Sequence, residues 1–284
     1  MLDVVVHQDL ARFWADTEAF YTADPVLHTV ALTVISRRLN HPSSDGGQPA
    51  VCVAAYENGV LKGAALCIPP RPLIASGIPA HLADDFAAAL LPVNPDLYGV
   101  SGHREAAEAF VRAWTARTGR RAKEHIALRL HRLDTLLTPQ VHGHMRMADE
   151  RDVPLLGEWR QNFQDESLPG MPGPPDPAAG IRRSIEAGNG NAVWEIDGVP
   201  VSWAVANAPI QGMSRIGPVF TPPAHRNHGY AAAVTAAVSQ WAQQAGASEV
   251  LLYTDLANPT SNGVYRRIGF VPLFDATEMS FTDG

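Results

Sequence analysis

The chain has 284 residues, 46% hydrophobic and 18% charged, enough apolar material for one large or two ordinary domains and too much for a disordered chain. The formal net charge is −7 and no Lys/Arg run stands out, so nucleic acid is not an expected partner. Cys52 and Cys67 lie outside any Cys-x-x-Cys pair and are expected as reduced core residues. The first residues lack the basic and apolar regions of a leader, and no apolar run nears the ~20 residues of a membrane span. The expected setting is therefore cytoplasmic, with no membrane partner.

The first half alternates helical and extended patterns. Residues 10–21 are amphipathic. Residues 50–56 and 60–68, joined at Glu57-Asn58-Gly59, read as a hairpin that prolines interrupt at 69–72. Residues 80–91 are rich in Ala and Leu and read as a helix, and 98–102 as a short strand and turn. Residues 104–117 form a helix with Ala107, Phe110, Val111 and Trp114 on one face and Gly119 past its end. Residues 126–133 alternate as a half-exposed strand.

Turn residues at 137–143 mark an expected boundary between domains at 1–140 and 145–284. The second half then repeats the order. A helix is expected at about 152–163, carrying Leu155, Leu156 and Trp159. Residues 168–177 hold five prolines and two glycines and read as a loop, either a solvated connection or a substrate wall. A short helix follows at 181–187, a second hairpin at 191–207 around Asp197-Gly198, and a strand at 214–221. The shared order suggests an internal duplication.

The segment that carries chemistry runs from Val219 to Ala231. A strand ends near Thr221, and Pro222 and Pro223 stop its ladder because proline donates no hydrogen bond. Then comes Arg226-x-x-Gly229-x-Ala231 and a helix to about residue 245, with Ala231, Val234, Val238, Trp241 and Ala245 along one stripe and Gly246 as its stop. Such a strand–turn–helix presents unpaired first-turn amides and the positive helix end to an anion. A strand at 249–254 leads to Asn258-Pro259, a good N-cap and first helical residue, and on to Tyr265, Gly269 and Phe270. Splaying of neighbouring strands there would open a cleft.

Over residues 146–281 the chain resembles the GNAT family of N-acetyltransferases, whose pattern is strand–[Gln/Arg]-x-x-Gly-x-[Gly/Ala]–helix–strand–Asn…Tyr-x-x-x-Gly-Phe. The repeated order resembles that of tandem members such as mycothiol synthase-like proteins. The resemblance implies an α/β fold of two tandem GNAT-like domains, each a mixed, mostly antiparallel sheet flanked by helices. It implies acetyl-CoA as co-substrate and a small-molecule or peptide amine as acceptor, with a homodimer possible. The first half departs from the pattern: it has no Arg-x-x-Gly-x-Ala near residue 78 and no Tyr-x-x-x-Gly-Phe after 117. A structural or substrate-shaping role is therefore implied for it.

Carried over by position, main-chain groups of Val219 and Thr221 would pair with the pantetheine arm. Amides of Asn227, His228, Gly229, Tyr230 and Ala231 would hold the pyrophosphate, with Arg226 nearby. Asn258 would bond the pantetheine, and Asn262 either caps the helix or touches the cofactor. Tyr265 would protonate the departing thiolate, its alternative being to pack under the last strand. The Thr221 amide could stabilise the developing oxyanion, and Glu195, Asp255, Glu166 and Glu278 are candidate bases. A non-catalytic acyl-CoA-binding or sensing module is the alternative function. No metal is expected, because His142-x-His144 and His225-x-x-His228 lack companion ligands. Trp194 and Trp203 read as core, or as walls of an acceptor pocket.

Overall fold

The computed structural model describes residues 1–41, 49–69, 71–167, 173 and 175–283. In chain order the elements are β1 (Leu2–His7), α1 (Leu10–Ala23), α2 (Thr29–Asn40), β2 (Val51–Glu57), β3 (Val60–Cys67), β4 (Leu73–Gly77), α3 (Ala83–Leu90), β5 (Gly99–His103), α4 (Arg104–Thr118) and β6 (Arg121–Leu133). The second series is β7 (His144–Met147), α5 (Val153–Ser167), α6 (Pro177–Glu186), β8 (Gly190–Ile196), β9 (Val199–Ala206), β10 (Met213–Phe220), α7 (Tyr230–Gln244), β11 (Glu249–Asp255), α8 (Pro259–Arg267) and β12 (Phe270–Thr282). Both series read strand, two helices, three strands, helix, strand, helix, strand. The fold is α/β, with mixed sheets flanked by helices. Most of the loop expected at 168–177 lies outside the described residues, and α6 begins at its last proline.

The chain forms two compact units. The first comprises Met1–Leu130, Asp255–Ala257 and Phe274–Gly284, the second His131–Thr254 and Asn258–Leu273. They are therefore not the linear halves 1–140 and 145–284. The cause is strand pairing: Ala276 to Ser280 of β12 pair antiparallel with His103 to Gly99 of β5, which ties the later part of β12 to the first unit.

In the first unit the strands follow the order β1-β2-β3-β4-β5-β12-β6. Their core collects Val53, Ala65, Leu73, Phe86, Leu90, Val100, Phe110, Trp114 and Phe281. Alternation explains it: every second residue of each strand faces α3 and α4. Cys52 and Cys67 are free and buried, and burial pushes both thiols up to about 12.

In the second unit the order is β11-β10-β9-β8-β7. Helix α7 lies on this sheet through Ala232, Ala233, Val234, Ala236, Val238 and Ala242, which share one core with Ala204, Ala206, Ile216, Val250 and Leu252. Small side chains let the helix backbone come close. Gly190 of β8 carries the same logic to its limit, because a Cβ there would collide with the Trp241 ring. Trp159, Val193, Trp203 and Phe220 form a further core with α5 and α6.

Candidate functional site

Strand β10 carries the geometry that matters. Its parallel register with β11 runs from Met213↔Glu249 to Ile216↔Leu252 and stops. On its other edge the antiparallel pairing with β9 shifts between Ile216↔Ala206 and Val219↔Ala204, so three steps of β10 face two of β9. That is a β-bulge, which bends the strand and increases its twist. Pro218 sits inside it and offers no N–H to a neighbour. From Gly217 onward β10 has no register with β11 among the described residues, which leaves that edge of the strand unpaired.

The end of β10 is pinned by a residue the sequence did not single out. Buried Ser202 of β9 donates to the Phe220 carbonyl at 3.2 Å and shares a 2.8 Å hydrogen bond with the Thr221 hydroxyl. Only the pairing across the hairpin reveals that role. Beyond it, Pro223–His225 make one short turn, and Asn227 and Gly229 both take positive φ, +66° and +83°. Gly229 fills the N-cap position of α7 with no side-chain cap. A Cβ there would add left-handed strain and meet Val141 Cγ2 at 3.1 Å.

The consequence is a row of unused donors. Among the described residues the amides from Asn227 to Ala232 have no hydrogen-bond acceptor, and the first bond of the helix is Ala233 N–H to the Gly229 carbonyl. Asn227, His228, Gly229, Tyr230 and Ala231, the expected anion-binding run, lie together here, with the positive end of α7 behind them. The His228 and Tyr230 rings stack at 5.4 Å. Arg226 is close by but occupied. Its Nε donates to the Thr221 carbonyl at 3.0 Å and its Nη2 to Glu166 Oε2 at 2.6 Å.

Helix α8 follows β11. The Asn258 side chain accepts from the Ser261 amide at 3.0 Å and caps the helix, leaving its amide nitrogen unengaged among the described residues. Asn262 is a structural link: its Oδ1 accepts from the Thr254 hydroxyl at 2.6 Å and its Nδ2 donates to the Asn258 carbonyl at 2.9 Å. The Tyr265 ring packs edge-on against Phe270 at 6.2 Å, and its hydroxyl has no hydrogen-bond partner among the described residues. Burial pushes that phenol up to about 12.

Each of the four candidate bases has its own surroundings. Glu195 is held by Arg146 at 2.5 Å, in a network with buried Asp152, and Glu166 is held by Arg226. Asp255 and Glu278 pack in the first unit. Burial there lifts the Glu278 carboxyl to about 7, partly offset by Arg71. Trp203 is fully buried, and Trp194 Nε1 donates to the His142 carbonyl, so both are core residues. Among the described residues no three His, Cys, Asp or Glu side chains gather to hold a metal, and no helix is long and apolar enough to cross a membrane.

In the first unit the strand-to-helix turn after β4 leads into α3, whose first turn carries Asp84 and Asp85. Negative charge at a helix N-terminus repels a phosphate group, so this turn is unsuited to an anion.

Residues 157–270 match the sequence profile of the acetyltransferase (GNAT) family. No curated protein matches the sequence. Among solved structures, a GNAT acetyltransferase from Sphaerobacter thermophilus is 16% identical with a TM-score of 0.63, over 99% of this chain and 95% of that one. An acetyltransferase from the GNAT family of Colwellia psychrerythraea is 12% identical with a TM-score of 0.61, over 99% and 100%. A tandem GNAT protein from the clavulanic acid biosynthesis pathway is 13% identical with a TM-score of 0.60, over 100% and 98%. Identities this low speak to the fold, which is shared over the whole length.

Proposed function

We propose, from the match of residues 157–270 to the acetyltransferase (GNAT) family profile, that the protein transfers an acetyl group from acetyl-CoA to an amine of a small molecule or peptide by direct attack. The observation that carries this reading is the end of β10, where broken strand pairing adjoins the row of unbonded amides from Asn227 to Ala232.

Each residue has a task. Val219 and Thr221 lend main-chain groups to the pantetheine arm, which lies along the open edge of β10 like an added strand. The amides of Asn227 to Ala231, with Arg226, take the pyrophosphate. The free amide nitrogen of Asn258 bonds the pantetheine. The thioester supplies the activated acyl group, and holding it against the amine supplies much of the rate. The Thr221 amide faces the developing negative charge. Tyr265, protonated and unpartnered, delivers a proton to the departing thiolate. Deprotonation of the amine is assigned to water, since Glu195 and Glu166 are both engaged by arginines. Transfer belongs to the second unit, and the first has a structural or substrate-shaping part.

Titrating the full chain calorimetrically with acetyl-CoA, while following thiol release against a panel of small amines and peptides, tests this. Saturable binding with amine-dependent release is expected. Absence of binding would overturn the cofactor site. Binding without release from any amine would favour a module that binds acyl-CoA without turnover.

A further inference from the structure

Arg226 is the cation of the proposed anion loop, and its guanidinium already has partners of its own. Its guanidinium bridges the Glu166 carboxylate near the end of α5 and the carbonyl of Thr221 just past β10. It also lies over the Phe220 ring, 6.0 Å from the centroid. Two features of the cofactor site are thereby engaged at once. The charge that would neutralise a phosphate group is paired with a carboxylate. The Thr221 carbonyl, which the pantetheine arm would use, already accepts from Nε.

We propose that Glu166 sets the affinity for the co-substrate by competing with its pyrophosphate for Arg226, the two anions exchanging on the same guanidinium. This rests on the cofactor reading above. No covalent step is involved: one ion pair and one N–H···O=C bond break, and the guanidinium re-forms its contacts on the phosphate oxygens. The exchange runs forward because the two anions are unequal. Glu166 offers a single hydrogen bond to Arg226, and the two side chains are 44% and 42% exposed, where an ion pair contributes little. A pyrophosphate brings more negative charge, more acceptor oxygens and the amides at the start of α7.

The test is calorimetric titration of the full chain with CoA. Glu166→Gln removes the charge and keeps the shape. It is expected to tighten CoA binding by up to about fivefold, the reach of an exposed pair. In an Arg226→Gln background the same change is expected to leave CoA affinity unaltered, since there is no guanidinium left to contest. Equal or weaker binding by Glu166→Gln would overturn the exchange while leaving the cofactor site standing. So would a gain that persists without Arg226. If neither the parent chain nor Glu166→Gln binds CoA, the site itself fails and the exchange with it.

Discussion

Tyr265 shows how much one side chain can carry. Its phenol is lifted to about 12 by burial, so it remains a protonated donor throughout the neutral range. Tyr265→Phe is expected to lower kcat by about 10²–10⁴ and to spare CoA affinity, measured by thiol release and calorimetry. The pH profile of kcat should show no loss from tyrosine ionisation below about pH 10. A limb at pH 8–9 that disappears in Tyr265→Phe would overturn the raised phenol pKa, whereas an unchanged kcat in Tyr265→Phe would remove the residue from this role. Glu278 offers a separate check on stability. Its folded-state pKa, about 7, is raised above the ordinary 4.5. The stability linked to its protonated form is therefore full below about 4.5 and lost as pH rises through about 7. Glu278→Gln should raise the thermal midpoint at pH 8 and make much less difference at pH 4.5. Residues of this kind were unevenly visible in the sequence. Gly229 and Tyr265 stood out because they fall on the spaced positions of the pattern the chain resembles. Ser202, Thr254 and Val141 did not, since any strand or loop carries such residues and only tertiary contact gives them work.

At the scale of elements, the loop proposed to bind the pyrophosphate and α7 form one device. The loop must turn sharply so that the first-turn amides face outward, and Gly229 makes that turn. Gly229→Val places a branched side chain at φ +83° with its Cβ against Val141, and is expected to weaken CoA binding about tenfold or more by calorimetry. Undiminished affinity would remove the loop from the cofactor site. Gly190→Ala tests the seat of the helix. A methyl group there collides with Trp241, so a loss of about 1–3 kcal/mol is expected from urea unfolding. The sequence revealed α7 and β11 well because their apolar stripes are regular. It hid α2, whose Thr29, Val30, Thr33 and Val34 are β-branched and mimic a strand. It shortened β6, whose first five residues are exposed and polar or small. It also left Asn262 between two roles, and gave no hint of its hydrogen bonds to Thr254 and Asn258.

Over the whole molecule, the repeated element order was legible, but the assignment of β12 was not. A strand's pattern says which face is apolar and nothing about which neighbour it joins. Residues past Leu273 contribute Phe281 to the first unit's core, accept Arg120 at the Phe281 carbonyl and pair Asp275 with Arg129. A chain ending at Leu273 should therefore lose the first unit's protection in limited proteolysis, although nearly all of that unit's own residues remain. Persistence of a protease-resistant first unit would show that β12 is dispensable to it.

That borrowed strand also sets a timetable. Thr277 bonds Glu124 across 153 residues of chain, and contacts this distant in sequence form slowly. On a ribosome adding about 5–20 residues per second, the first unit would wait roughly 8–30 s for the strand that lies beside β5. During that interval β5 offers an unfilled edge to any extended chain nearby, so the growing polypeptide is most exposed to wrong partners after its first unit has been synthesised and before its last strand has emerged.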